Sequence, residues 1–217
     1  MVLCDLPYGV TANSWDRKLD FNDLWDCYKR IVKPKTPIVL FSQGIFTHEL
    51  AMSNPKWYRV EWIWEKSLAG GFLNANRRPL INHENILVFS QKGSNYYPQM
   101  TKGKPHDRGR THTRHSSNYK DYHFMTYDQK FDTYYPRSVI HFSKELFKSG
   151  THPTEKPKDL LQYLIRTYSQ PGEIVLDNCM GCGGTCLAAK AEGRKYIGIE
   201  KEQNYFDIAQ KRLNGDL

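Results

Sequence analysis

No apolar run in this sequence approaches the roughly 20 residues needed to cross a bilayer, so no membrane-spanning segment is expected. No secretory signal is readable ahead of Asp5, and the sequence predicts a reducing, cytoplasmic setting. The cysteines number only five, an odd count that fits that setting. Cys179, Cys182 and Cys186 lie close together, but Cys4 and Cys27 are remote and no second Cys-x-x-Cys exists. A zinc site needs a fourth ligand at regular spacing, and an iron–sulfur cluster needs four thiolates. The three read instead as small residues packed round a turn, and no metal is expected. Also missing is the Gly-x-Gly-x-x-Gly spacing of a dinucleotide oxidoreductase, which disfavours nicotinamide chemistry. Acids are in deficit: 31 Lys and Arg face 23 Asp and Glu, a net charge of +8. A balance of that size favours a polyanion partner.

What is present is centred on residues 174–185. Ile174, Val175 and Leu176 end an apolar strand, and Asp177 closes it. Gly181, Gly183 and Gly184 form a turn that allows positive φ and close backbone approach. Thr185 opens a helix that runs to about Ala191 and stops at Gly193, its free N–H groups facing back over the turn. A second strand, Lys195 to Ile199, ends on Glu200. The unit is a βαβ half with a carboxylate placed to hold ribose hydroxyls. A plain tight turn is the alternative, and the acid after the second strand favours a nucleoside site.

The 217 residues fit one α/β domain with an insertion, or two small domains. Met1 to Cys4 is a short apolar strand that stops at Asp5-Leu6-Pro7-Tyr8-Gly9. An acid at a strand's carboxyl end, followed by a proline, an aromatic and a glycine, makes either a shaped lip or an ordinary turn. Residues 20–32 predict a helix capped by Asp20, with Phe21, Leu24, Trp25, Tyr28, Ile31 and Val32 on one face. A buried strand at 37–41, a helix at 44–53, a strand at 58–65 and another at 85–89 follow. After the insertion come a helix at 158–169 and a last helix at 203–213. The order predicts a mostly parallel sheet with an antiparallel edge hairpin and helices on both faces.

Residues 91–136 break this rhythm, with no sustained period, and are expected to be irregular. From Thr101 to Lys120, six basic residues stand against one acid, Asp107. They are Lys102, Lys104, Arg108, Arg110, Arg114 and Lys120, interleaved with histidines and flanked by tyrosines. Such a run suits phosphate contacts and base stacking. A solvated loop is the alternative for each residue taken singly.

With these parts placed, nearly the whole chain resembles the amino-methyltransferases of DNA, in the β arrangement where the catalytic motif precedes the cofactor motif. Asp5-Leu6-Pro7-Tyr8 looks like that family's catalytic Asp-Pro-Pro-Tyr. His152 to Pro157 looks like its His-Pro-Thr-x-Lys-Pro segment, and Asp177 to Thr185 like its Asp-x-x-x-Gly-x-Gly loop. The phage and prophage members look most similar, on Trp64-Glu65-Lys66, Gly71 to Ala75 and Asn82-His83-Glu84. The resemblance implies a Rossmann-like, three-layer α/β/α methyltransferase, residues 1–217 forming one catalytic domain and 91–150 an inserted target-recognition region. It implies S-adenosylmethionine as cofactor, held by Thr154, Lys156, Asp177, Met180, Gly181, Gly183, Thr185 and Glu200. Asp5, Leu6, Pro7 and Tyr8 would carry the chemistry, with Lys102, Lys104, Arg108, Arg110 and Arg114 on DNA. Double-stranded DNA is the expected partner, in a bacterial or phage-infected cytoplasm. A homodimer stays open, and a restriction partner cannot be read from one chain.

The chemistry agrees with these residues. An exocyclic amino nitrogen of adenine or cytosine is a poor nucleophile, because its lone pair is delocalised into the ring. The Asp5 carboxylate and the Leu6 carbonyl would each accept an amino hydrogen and push the nitrogen toward tetrahedral geometry. Tyr8 would stack on the base, which must leave the duplex to reach the site. Asp at the first motif position leans, within the family, toward adenine over cytosine. Two departures are noted. Leu6 replaces the usual second proline, which predicts a less rigid lip. Only four residues precede Asp5, where the family carries a further strand and helix, which predicts a truncated start, an exposed sheet edge and an open cofactor pocket. Cytosine methylation and a DNA-binding relative without turnover are the alternatives.

Overall fold

The computed structural model describes residues 1–9, 16–17, 19–107, 114–116, 119–122, 130–143 and 155–216. Side chains of residues 106–107, 114–116, 119–122 and 130 are outside that description. Two compact units emerge: one formed by Met1–Tyr97 with Ser138–Leu217, the other by Pro98–Arg137.

The larger unit is built on a seven-stranded sheet. Its strands are β1 (Val2–Asp5), β2 (Ile38–Ser42), β3 (Tyr58–Gly70), β4 (Ile81–Phe89), β9 (Val139–Phe142), β10 (Ile174–Asp177) and β11 (Lys195–Gly198), in the order β11-β10-β1-β2-β4-β3-β9. The pairs β11–β10, β10–β1, β1–β2 and β3–β9 are parallel. Only β4 runs against its neighbours. The reversed strand therefore lies inside the sheet, and the β3–β4 hairpin is not the edge. Val139–Phe142, expected within the insertion, covers β3 and forms that edge.

The central strands are apolar along their whole length, as parallel strands covered on both faces must be. Leu3, Val39, Phe41, Trp62, Trp64, Ile86 and Val88 point to one face, where they meet Leu160, Leu161, Leu164, Ile165 and Tyr168. Those last five belong to α3 (Lys158–Tyr168). Cys4, Leu6, Ile38, Leu40, Leu87 and Phe89 face the other side, against Leu24, Trp25 and Tyr28 of α1 and Phe46 and Leu50 of α2. Helix α1 is Phe21–Ile31, and its Asp20 cap accepts from Asn22 N at 2.7 Å. Helix α2 is Ile45–Ser53. Helices α4 (Gly184–Ala191) and α5 (Gln203–Asn214) complete the layers. Among the described residues no helix is long and apolar enough to cross a membrane.

The smaller unit corrects the expectation of irregular structure. It holds two antiparallel pairs: β5 (Thr101–Asp107) with β8 (Lys130–Tyr134), and β6 (Arg114–Ser116) with β7 (Tyr119–Tyr122). It is also narrower than 91–150, because residues 139–142 are drawn into the main sheet and 91–97 belong to the larger unit.

Candidate functional site

Asp5 and Asp177 end two adjacent parallel strands, so two loops leave the sheet side by side. The crevice outside the carboxyl ends of such strands is where open α/β sheets place their ligands.

The first loop is a lip wired by charge. Asp5 Oδ1 accepts from the Tyr8 hydroxyl at 2.8 Å, and Oδ2 accepts from Lys156 Nζ at 2.5 Å. Lys156 also lies 3.2 Å from Glu84 Oε2, though off the axis of a hydrogen bond. Glu84 Oε1 in turn meets Lys66 Nζ at 2.6 Å. Two acids and two lysines thus alternate in a chain, with side-chain exposures of 30% at Asp5, 9% at Lys156, 12% at Glu84 and 18% at Lys66. Burial alone would lower the Lys156 ammonium, but the Asp5 and Glu84 carboxylates outweigh it and raise its pKa above the usual lysine value. Burial likewise opposes ionisation of Glu84, yet Lys156 and Lys66 hold it below the usual carboxylate value. Glu84 and Lys156 are therefore both charged at neutral pH. The Tyr8 phenol is pushed well above its ordinary value by burial and then by the Asp5 and Glu84 charges, so it stays a donor. Its ring stacks on Phe46, with centroids 4.9 Å apart.

Leu6 is buried among the apolar residues under α1 and α2. That burial ties the lip to the core, where truncating a leucine costs about 2–5 kcal/mol.

The second loop is held by backbone. Glu200 Oε2 accepts from Gly181 N at 2.9 Å, and its Oε1 accepts from Lys201 N and Glu202 N, each at 2.9 Å. The acid past β11 is thereby fixed against the glycine loop. Gly181 and Gly183 have φ of 51° and 83°, in the left-handed region that favours glycine. A Cβ on Gly183 would come within 3.0 Å of Ala209, so this glycine also lets α5 close on the loop. Asp177 is buried, with Oδ1 accepting from Cys179 N at 3.0 Å and a further hydrogen bond from Thr185. Burial lifts its pKa to about 6. Met180 is buried against Cys186 and Ala209. Asp177, Met180 and Thr185 shape the loop from within.

Glu155 and Lys156 join the two loops. Arg212 of α5 binds Glu155 at 2.9 Å and donates to the Cys182 carbonyl at 2.8 Å, while Lys156 reaches Asp5. Thr154, Arg108 and Arg110 lie outside the described residues, and Arg114 lies on β6 with no side-chain description. Lys102 and Lys104 are exposed on β5 of the smaller unit. The sequence reading missed Lys66, Glu84 and Arg212 as site residues. The signal for Glu84 was a charged residue at the mouth of the apolar run Asn85 to Phe89, but its partners come from strands far apart in sequence.

The chain is similar to known proteins along most of its length. The DNA methylase family model for N6-adenine and N4-cytosine enzymes matches residues 1–211. The type II methyltransferase M.HinfI of Haemophilus influenzae is 32% identical over 227 residues, covering 95% of this chain and 56% of its own. The chain thus spans about half the length of curated relatives matched along most of it, with 55% for M.XycI of Xanthomonas campestris pv. cyanopsidis. The solved structure of the M1.HpyAVI–SAM complex superposes with a TM-score of 0.64 at 26% identity, covering 97% of this chain and 87% of that one. PvuII DNA methyltransferase, cytosine-N4-specific, shares the fold with a TM-score of 0.59 at 15% identity, over 99% and 85% of the two chains. The chain belongs to the N6-adenine/N4-cytosine DNA methylase family.

Proposed function

We propose that this chain is a DNA methyltransferase that moves the methyl group of S-adenosylmethionine to an exocyclic amino nitrogen, adenine N6 in preference to cytosine N4. The observation that carries the reading is the Asp5 carboxylate at the end of β1, clamped between Tyr8 and Lys156 and set beside the glycine loop. The donors and acceptors present suit the cofactor. Glu200, oriented by three backbone N–H groups, offers carboxylate lone pairs to a ribose diol. Lys156 has three ammonium donors, one of them spent in a hydrogen bond to Asp5, and would hold the methionine carboxylate. Thr154 would join it there, and Gly181 and Gly183 would pass under the ligand. The cofactor brings an electrophilic methyl on a sulfonium, so no metal or covalent nucleophile is required.

A carboxylate has about four lone-pair sites. Asp5 uses one for Tyr8 and one for Lys156, which leaves room for an amino hydrogen of the target base. Charge at Asp5 draws positive character onto that amino group as its nitrogen becomes tetrahedral. Lys156 and Glu84 keep the carboxylate from turning away, and the Leu6 carbonyl would take the second hydrogen. Pro7 fixes the backbone between them, and Tyr8 would exchange its contact with Asp5 for a face-to-face contact with the base. Lys102, Lys104, Arg108, Arg110 and Arg114 would neutralise phosphates.

Purified protein, labelled S-adenosylmethionine and unmethylated duplex DNA test the reading, with nucleoside digestion after transfer. N6-methyladenine is expected. N4-methylcytosine would keep the mechanism and reverse the choice of base. Cofactor and DNA binding without transfer would leave a DNA-binding relative instead.

A further inference from the structure

The β3–β4 hairpin outruns the sheet. The row Asp5, Phe41, Ile86, Trp62 marks the level of the reactive carboxylate. The ladder between β2 and β4 ends at Ser42 and Asn85, and that between β3 and β9 ends at Lys66 and Phe142. Beyond those rungs, among the described residues, β3 and β4 pair with each other alone, past an irregularity between Glu65 and Gly70, out to Gly70 and Ile81. Ile81 is five residues past Ile86, which at ~3.3 Å per residue carries the tip roughly 16 Å beyond the carboxylate on the same side of the sheet.

The tip is ordered and apolar. Gly71, at φ 85°, starts a 3-10 turn over Phe72–Asn74. Backbone hydrogen bonds continue it: Asn74 N to Gly71 O, Ala75 N to Phe72 O, and Arg77 N and Arg78 N to Asn74 O, all between 2.9 and 3.0 Å. This built turn holds Phe72 78% exposed and Leu73 93% exposed. Arg77 and Arg78 follow, also exposed, and no acid occurs between Lys66 and Glu84. Large apolar side chains held out by an ordered turn mark an interaction site, and the flanking arginines select a polyanion.

We propose that this tip is a wedge for the DNA duplex: Phe72 and Leu73 enter the base stack beside the target, and Arg77 and Arg78 bind the flanking phosphates. This rests on the DNA methyltransferase reading above. Chemistry at Asp5 needs the base out of the helix, and extrusion costs a few kcal/mol of pairing and stacking unless something fills the gap. An arm of Phe and Leu on the catalytic side of the sheet has the shape, reach and charge to fill it.

The test uses the full chain, with the methylated site first mapped on genomic DNA by the wild type. F72A/L73A and R77Q/R78Q are compared with wild type on a matched duplex and on the same duplex with the target base mismatched. Cofactor affinity serves as the check on folding. For F72A/L73A, transfer to the matched duplex falls about tenfold or more, and the mismatch restores it to within about threefold of wild type, because a mismatched base is already loosened. For R77Q/R78Q, the ratio between the two duplexes is unchanged, while the KM for DNA rises and the salt dependence of binding drops by about two charges. An F72A/L73A chain that matches wild type on the matched duplex overturns the wedge. So does an equal loss on both duplexes, or a loss accompanied by dissociation of a dimer, which would make the tip a contact between copies. A variant unable to bind cofactor is replaced by F72A alone, read in the same way. No transfer to DNA by the wild type would sink the methyltransferase reading itself, a result distinct from all of these.

Discussion

Two loops leave neighbouring strands at the same end of the sheet, and they are held by opposite means. The lip after β1 is a chain of alternating charges, Asp5, Lys156, Glu84 and Lys66, joined by ion pairs of 2.5, 3.2 and 2.6 Å. The loop after β10 relies on positive-φ glycines, backbone N–H groups and one buried acid. On the proposed function, the group that polarises the reacting nitrogen is given a fixed charge, and the surface that lies under the ligand is given a fixed backbone. Their buried acids, Glu84 and Asp177, respond to pH in opposite directions.

The sharpest way to break the contrast is to remove the central cation. Lys156→Met leaves Asp5 and Glu84 as facing acids without their shared partner, and the expected loss of unfolding free energy is about 3–5 kcal/mol. Glu84→Gln keeps the Lys156–Asp5 pair and should cost less, about 1–3 kcal/mol. Urea unfolding at neutral pH measures both, and equal costs would mean that the lysine does not bridge the two acids. The network's contribution has a window. Glu84, lowered in the fold, contributes above its unfolded pKa of about 4.5, and that contribution is lost as pH falls. Lys156, raised in the fold, contributes below about 10.5 and loses that contribution as pH rises through its folded value.

Asp177 behaves in reverse. Its folded pKa of about 6 stands above the ordinary 3.8, so the folded state binds the proton more tightly and stability falls as pH rises between those values. The span corresponds to roughly 3 kcal/mol at most. Asp177→Asn should abolish that slope, so the stability of wild type relative to the variant declines from pH 4 to pH 7 in parallel denaturation series. A flat difference would mean that Asp177 is as easily ionised in the fold as in the unfolded chain.

An effect of the size of Glu84→Gln belongs to the backbone side. Gly183→Ala places a Cβ at positive φ and within 3.0 Å of Ala209, at a cost of about 1–3 kcal/mol. Cofactor affinity should fall with it, because α5 and the loop must part. Unchanged melting would show that the loop yields freely.

What the sequence revealed follows range. Asp20 could be read as a helix cap, because a cap is satisfied two residues away, and Asn22 N meets it. The strand–glycine turn–helix unit and the acid past β11 were readable for the same reason, within about 25 residues. Val139–Phe142 escaped notice: four residues carry no period, and only pairing with β3, more than 70 residues earlier, makes them a strand. The β3–β4 arm was read short, at 65 and 85 rather than 70 and 81, because the pairing beyond the sheet joins polar, glycine-bearing segments without apolar alternation. Locally, Lys66 and Glu84 are only the ends of Trp64-Glu65-Lys66 and Asn82-His83-Glu84, two strings that resemble the family. That Glu84 meets Lys156, and through it Asp5, depends on contacts spanning 72 and 151 residues, which no local pattern encodes.

The central claim is that the charge on Asp5, held by Lys156, does the chemistry at the end of β1. Asp5→Asn keeps the size of the side chain and removes the charge. Methyl transfer from labelled S-adenosylmethionine to duplex DNA is expected to fall at least 100-fold, on the order of the loss of one preorganised electrostatic group, while cofactor affinity stays within about threefold of wild type. Transfer by the variant at the wild-type rate would contradict the account.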